Sequence, residues 1–228
     1  LLCRQVAQSM DMTASFLPKP VTGINGSGMH TNMSLARNGE NLFYDEKGPD
    51  RMSQLGQDFI RRILHSAEDL CLILNASVNA YRRLDPNYEA PNEIAASPTD
   101  RSSMIRIPLA GKAGKRIEVR SVGPDSNPYM LIYALLRTGM EGPEPDPNAP
   151  KPKRIRKRLL PGNIYDAMGL HRRSAWVREL LGDDSHVKYH DLKRACAHRC
   201  PRALGDRIKR AEIMFHHEVT NQMLWSMF

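Results

Sequence analysis

Apolar residues recur at helical spacing in three regions of the chain. Between about residues 52 and 75 they lie roughly one or two helical turns apart: Leu55, Phe59, Ile63, Leu70, Cys71 and Leu74. A second helix is expected over Pro128–Thr138, ending near Gly139. The tail from about Ser174 to Phe228 is typical of several helices, of which Glu212–Phe228 is expected to be the last.

Three other segments alternate between apolar and polar residues, which predicts strands: Met29–Leu35, Ser103–Pro108 and Lys115–Val122. One face of each strand is polar, and these faces carry His30, Asn32, Ser34, Arg106, Arg116, Glu118 and Arg120. Such a face is either solvated, as in many antiparallel sheets, or lines a polar cavity. Solvated faces use histidine and paired arginine less often. The pattern therefore indicates a site that handles anions and metal ions.

A proline-rich stretch divides the chain. Prolines at 143, 145, 147, 150 and 152 predict a surface loop over residues 143–153. The sheet and its helices are then expected in residues 1–142, and a helical part of the same domain in residues 154–228. The opening Leu1-Leu2-Cys3-Arg4-Gln5 resembles the middle of a helix and lacks an initiator Met, so we expect an N-terminal portion to be missing.

Composition excludes several classes of protein. Of the 228 residues, 41% are hydrophobic and 25% charged, and no apolar run approaches the roughly 20 residues that span a bilayer. No membrane association is expected. Four cysteines are too few for a disulfide framework, which favours reduced thiols and a cytoplasmic location. Cys196, His198 and Cys200 could alternatively suggest zinc, but no second Cys-x-x-Cys pair accompanies them.

The net charge of +8 invites a nucleic-acid interpretation. The arginines are scattered, however, and the one dense basic run, Lys151–Arg158, lies beside the proline-rich loop. Aromatic residues make up only 6% of the chain, which is thin for base stacking. Anionic small molecules explain an excess of arginine equally well, and no nucleic-acid partner is expected.

Four segments together resemble the glutamine synthetase family. They are KPVTGINGSGMHTNMSL (residues 19–35), NAYRRLDPNYEAP (79–91), DRSSMIRIP (100–108) and RIEVRSVGPDSNP (116–128). Their order and spacing fit the family, and HHEVTNQMLW near the C-terminus is similar to the end of some members. A lone glycine-rich turn would be weak support, but four motifs in register are specific.

The resemblance implies an α+β fold in which a curved antiparallel sheet lines the active site and helices surround it. It implies ATP-dependent joining of ammonia to the side-chain carboxylate of glutamate, through γ-glutamyl phosphate. The expected cofactor is Mg²⁺ or Mn²⁺, with glutamate, ammonium and ATP as substrates. Homo-oligomerisation into rings is expected of the full-length protein.

Residue roles also follow from the resemblance. His30 and Glu118 match ligands of one of the family's divalent metals. Glutamate is expected to contact Asn25, Gly26, Arg83 and Arg120. The nucleotide and its phosphates are expected to contact Ser34, Arg101, Arg106 and Arg116. The catalytic residues are expected to be Arg101, which stabilises the transferring phosphoryl group, and Glu89, a loop residue that closes the site and helps to deprotonate ammonium.

The chain also departs from the family's pattern. The remaining metal ligands are glutamates upstream of the matched region, and the N-terminal domain is likewise absent, so the isolated chain is expected to be inactive and to bind metal weakly. Asn32 stands where many relatives have histidine. Two related alternatives stay open: a ligase that joins glutamate to a polyamine or another amine, and a catalytically silent structural relative.

Overall fold

The computed structural model describes residues 2–21, 23–85, 90–146, 148 and 157–198. Glu89, Cys200 and the helix expected over Glu212–Phe228 lie outside these ranges. The helices are α1 (Leu2–Ser9), α2 (Gln54–His65), α3 (Ala67–Leu74), α4 (Val78–Arg83), α5 (Pro128–Glu141), α6 (Ile164–Arg173), α7 (Ala175–Leu181) and α8 (Asp183–His198). The strands are β1 (Thr31–Met33), β2 (Ala36–Arg37), β3 (Glu40–Asn41), β4 (Glu93–Ser97), β5 (Ser103–Arg106) and β6 (Ile117–Val119). Short 3₁₀ turns cover Pro49–Arg51 and Lys112–Gly114.

Four strands form the main sheet, in the order β1-β6-β5-β4. All three strands predicted from alternation are present, as β1, β5 and β6, and the mixture of helices and sheet confirms an α+β fold. The prediction of an antiparallel sheet is wrong for one pair, because β4 and β5 run parallel while β1–β6 and β5–β6 are antiparallel. Side-chain alternation reports the face of a residue, not the direction of its strand.

The short connection between the parallel strands β4 and β5 is held by local hydrogen bonds. Ser97 Oγ accepts hydrogen bonds from the backbone N–H groups of Thr99 and Asp100, at 3.2 and 3.0 Å. Asp100 Oδ1 in turn accepts from the N–H of Ser102 at 2.9 Å. Short polar side chains that bond to nearby backbone stabilise such tight connections.

A segment from the C-terminal part runs along the outer edge of β4. The N–H of Ile94 donates to the carbonyl of Arg158, and the N–H of Leu160 donates to that of Asn92, both at 2.8 Å. Lys157 Nζ also lies 2.7 Å from Glu93 Oε2. Residues 158–160 therefore extend the hydrogen bonding of the sheet beyond its last strand.

The long helix expected near residues 52–75 is present but interrupted. Ser66 has φ −92° and ψ 8°, and it separates α2 from α3. Ser53 caps α2, because its side chain accepts from the N–H of Gly56 at 3.2 Å. The second predicted helix, α5, begins at Pro128 as expected but continues past Gly139 to Glu141.

The core lies between the sheet and the helices that cover it. Ile105, Ile117 and Val119 are fully buried on the sheet, and every residue of α3 from Leu70 to Leu74 is buried in the same core. α5 packs on α2, while α6 packs on α3 and α8. α7 and α8 confirm the expected helical tail as far as His198. In the described part of the chain, no helix has the length and apolar character to cross a membrane.

Candidate metal- and anion-binding site

A row of polar side chains crosses three strands of the sheet. In the register of the sheet, Glu118 on β6 lies opposite Asn32 on β1 and opposite Arg106 on β5. Alternation places Glu118 on the face opposite Ile117 and Val119, as predicted. Its side chain is nevertheless only 7% exposed. A carboxylate this buried requires charged partners.

Glu118 has three such partners. Its Oε1 lies 2.8 Å from Nδ1 of His30, and its Oε2 lies 2.6 Å from a terminal nitrogen of Arg106. Nε of Arg120 is 3.9 Å from Oε1. Two guanidinium groups and one imidazole therefore converge on one carboxylate, which leaves the surroundings of the site positive. Such a site favours anionic ligands.

The surroundings of His30 lower its pKa. Burial is the largest cause; Glu118 opposes it, and the charges of Arg120 and Arg83 add to the lowering. His30 is therefore neutral at pH 7. A neutral imidazole is the form that binds metal ions.

Arg83 lies beneath the site, at the C-terminal end of α4. Its guanidinium is buried and donates to the carbonyls of Arg120 at 2.9 Å and Val122 at 3.3 Å. No acidic side chain among the described residues forms an ion pair with it. Burial, followed by the charge of Arg120, lowers the pKa of Arg83 to about 10, against a weaker opposing effect of Asp125. A buried cation without a carboxylate partner is suited to an anionic ligand.

The glycine-rich loop of residues 25–28 covers Arg83. A Cβ at Gly28 would collide with the Arg83 guanidinium and lie 3.1 Å from the ring of His30. A Cβ at Gly26 would meet the carbonyl of Pro18 and lie 3.0 Å from Arg83 Cγ. Glycine is needed at both positions because the backbone passes this close to its neighbours. Asn25 is exposed on the same loop.

The remaining expected phosphate contacts surround this centre. Arg120 donates to the backbone carbonyl of Arg101 at 2.6 Å, which brings the exposed turn before β5 next to β6. Arg116 donates from Nε to Oδ1 of Asn32 at 2.9 Å, and to the carbonyl of Gly114 at 3.0 Å. Ser34 is exposed just after β1. The expected catalytic residue Glu89 lies outside the described residues.

His30 and Glu118 are the residues that the sequence predicts as metal ligands, and the structure places their side chains next to each other. Nδ1 of His30 and Oε1 of Glu118 are 2.8 Å apart, which is a hydrogen-bond distance. Carboxylate oxygen and imidazole nitrogen are both accepted by Mg²⁺ and Mn²⁺. No group of three or more such ligands occurs among the residues that the structure describes. The two residues would supply two of the roughly six ligands of such an ion.

These features define an α+β domain with a positively charged site built on its sheet. Residues 1–207 match the family described as "Glutamine synthetase, catalytic domain". The chain belongs to this family.

Individual proteins in the family are also similar to this chain. The glutamine synthetase of Clostridium saccharobutylicum is 36% identical over 204 residues, which is 83% of this chain and 46% of that protein. The Thermus thermophilus enzyme is 38% identical over 203 residues, and that of Methanosarcina mazei 39% over 202 residues, each match covering 83% of this chain and 45% of the relative. The chain spans less than half the length of these curated relatives.

Two residues at the site were not assigned a role from the sequence. Lys19 and Asn79 both stand inside the quoted motifs, yet nothing in the spacing of the motifs shows that they meet. The structure joins them across 60 positions of the chain, below the glycine-rich loop. The only signal in the sequence is that a polar residue stands at the first position of each of these two motifs.

Proposed function

We propose that the protein containing this chain joins ammonia to glutamate, using ATP, and that this chain supplies the metal- and anion-binding half of the active site. The observation that supports it best is the convergence of His30, Arg106 and Arg120 on the buried Glu118, beneath a glycine-rich loop. Membership of the glutamine synthetase family supports the same reaction. The activity, the substrates and a ring-shaped homo-oligomer are proposals for the whole protein, as is a cytoplasmic location.

The proposed site holds glutamate by its charges. Arg120, with Arg83 behind it, binds the α-carboxylate, because a planar guanidinium forms paired hydrogen bonds with a carboxylate. Gly26 lets the backbone of the loop approach the substrate, and Asn25 adds polar contacts from the same loop. The positive charge that remains around Glu118 attracts glutamate and ATP alike.

Phosphoryl transfer is the first step. An oxygen of the glutamate γ-carboxylate attacks the terminal phosphorus of ATP, and the bond from that phosphorus to ADP breaks, giving γ-glutamyl phosphate. Arg101 and Arg106 offset the negative charge on the transferring oxygens, while Arg116 and Ser34 contact the nucleotide. A divalent cation on His30 and Glu118 would supply further neutralisation of phosphate charge.

Amide formation is the second step. Glu89 removes a proton from ammonium, and the resulting ammonia attacks the carbonyl carbon of γ-glutamyl phosphate. The carbon–oxygen bond to phosphate then breaks and one proton passes from the attached nitrogen to the departing phosphate, releasing inorganic phosphate and glutamine. The intermediate must be protected from water, which is the role proposed for the loop that carries Glu89.

The test is release of phosphate by the whole protein with ATP, Mg²⁺ and glutamate, comparing ammonium with a panel of amines and polyamines. We expect ammonium to be preferred. Glu118→Gln should lower kcat/KM by about 100-fold or more, because it would remove one ligand of the metal ion. Glu141→Gln is a matched control, since Glu141 also pairs with an arginine, Arg137 at 2.6 Å, but lies on α5, which contributes no residue to the proposed site.

Each alternative outcome has a definite meaning. Preference for an amine would mean that the acceptor is that amine and not ammonia, and it would leave the site assignments unchanged. No turnover with any acceptor would overturn the proposal and favour a catalytically silent relative.

A further inference from the structure

The segment that leads into the glycine-rich loop is anchored by a reciprocal pair of hydrogen bonds. Oδ1 of Asn79 accepts from the backbone N–H of Lys19 at 2.6 Å, and Nδ2 of Asn79 donates to the carbonyl of Lys19 at 2.9 Å. Both residues are buried. One amide side chain therefore satisfies both backbone groups of Lys19, as a neighbouring strand would.

The side chain of Lys19 bonds to the backbone just before the glycine-rich loop. Its buried ammonium group donates to the backbone carbonyl of Ile24, the residue just before Asn25. Burial lowers the pKa of Lys19, and the charge of Asp85 opposes that effect. A second closure lies nearby, where the N–H of Ser27 donates to the carbonyl of Pro18 at 2.7 Å. Pro18 and Lys19 are thus bonded to Ser27 and Ile24, which lie on the two sides of Asn25.

The face of α4 that carries Asn79 also carries Arg83, which contacts the end of β6 on the other side of the site. Asn79 and Arg83 are four residues apart, which places them one above the other on a helix. Arg83 contacts the loop from below and donates to the carbonyls of Arg120 and Val122 at the end of β6. A single helix face therefore sets the distance between the loop and Arg120.

We propose that Lys19 and Asn79 are positioning residues for glutamate binding. Both residues are buried beside the loop, and they hold Asn25 and Gly26 in the conformation that binds glutamate. The proposal rests on the proposed function, because it assigns glutamate to this loop. A loop that is already ordered loses less conformational entropy when ligand binds, so its anchors contribute to substrate affinity.

The anchoring itself is tested first, in the 228-residue chain without any substrate. Amide hydrogen exchange of residues 24–29 is compared between wild type, Asn79→Ala and Asn75→Ala. Asn75 is a matched control, since it is fully buried near the end of α3 but contacts Cys71 rather than the loop. We expect exchange in the loop to become at least tenfold faster in Asn79→Ala and to stay unchanged in Asn75→Ala. Equal exchange in the two variants would overturn the proposal.

The consequence for binding is tested in the whole protein. Asn79→Ala and Lys19→Met should raise the KM for glutamate about tenfold, while kcat and the KM for ATP change less than about twofold. Asn79→Asp keeps the acceptor and loses the donor, so its KM should lie between those of wild type and Asn79→Ala. It also replaces Asn79→Ala if that variant fails to fold. An equal loss of kcat with unchanged KM would show a merely structural role and overturn the proposal.

The two experiments separate the two proposals. If the wild-type protein shows no ligase activity, the proposed function fails, while hydrogen exchange still decides whether Asn79 anchors the loop.

Discussion

The imidazole of His30 and the guanidinium of Arg106 hold opposite oxygens of one carboxylate, Glu118, at 2.8 and 2.6 Å. A metal ion at His30 and Glu118 would therefore share the carboxylate with a fixed cation. Repulsion between the two cations weakens metal binding unless further negative ligands are present. Anionic substrates and acidic residues from the rest of the protein could both supply that charge.

The isolated chain should consequently bind Mn²⁺ weakly, with a dissociation constant on the order of 10⁻³ M or larger. His30→Ala and Glu118→Gln should each abolish what binding there is, because either change leaves a single ligand. A titration monitored by the electron paramagnetic resonance signal of free Mn²⁺ measures the dissociation constant directly. Micromolar binding by the wild-type chain would contradict the expectation that essential ligands lie elsewhere.

The contact between α2 and α5 depends on the absence of a side chain at Gly139. A Cβ there would overlap three ring atoms of Phe59, which is fully buried. Gly139→Ala should lower the free energy of unfolding by about 2 kcal/mol, since overpacking outweighs the gain of roughly 1 kcal/mol in helix propensity. Urea denaturation measures the change.

Gly169 on α6 is the matched control for that substitution. A Cβ at Gly169 would approach only the flexible end of Arg173, at 3.3 Å. Gly169→Ala should leave stability unchanged or raise it by up to about 1 kcal/mol. Equal effects at the two glycines would show that the close contact with Phe59 is not what requires Gly139.

Stability should fall in mild acid because of His171. This histidine of α6 is fully buried, neither ring nitrogen has a hydrogen-bond partner among the described residues, and its ring stacks on that of His186 at 4.5 Å. Tyr189 and His190 of α8 face it as well, at 5.6 and 6.3 Å between ring centroids. Burial, followed by the charges of His186 and His190, lowers the pKa of His171 to about 3.

The direction in which stability changes with pH follows from proton uptake. Between about pH 6.5 and pH 3 the unfolded chain binds a proton at His171 that the folded chain does not, so stability decreases as the pH falls through this range. At pH 5 the loss is about 2 kcal/mol. Denaturation of His171→Leu at pH 7 and pH 5 should show a correspondingly smaller loss. The exposed His65, changed to Leu, should leave the wild-type pH dependence intact.

Much of the site follows from local sequence patterns. Alternation along Arg116, Glu118 and Arg120 placed these residues on one polar face, and the structure brings Glu118 and Arg120 together with His30 there. The direction of β4 and the break at Ser66 did not follow, because apolar spacing carries neither strand direction nor small changes of backbone angle. The pairing of Lys19 with Asn79 also escaped prediction, since it depends on how α4 packs beneath the loop.

Asn32 should influence nucleotide binding through Arg116. Its Oδ1 accepts from Arg116 Nε at 2.9 Å, across neighbouring strands. If Arg116 contacts ATP as proposed, Asn32→Ala should raise the KM for ATP by roughly fivefold, equivalent to the ~1 kcal/mol of one hydrogen bond, and leave the KM for glutamate unchanged. Steady-state kinetics of the whole protein measures both constants. A change in the glutamate constant alone would contradict this role.

The pairing of residues 158–160 with β4 has a consequence for association between molecules. An open strand edge is a template on which another chain can add a strand, and proteins avoid aggregation by covering such edges. Here the backbone groups of Asn92 and Ile94 are already bonded within the chain. Loss of that segment by proteolysis would expose them, and would convert a closed edge into a surface on which copies of the protein could polymerise.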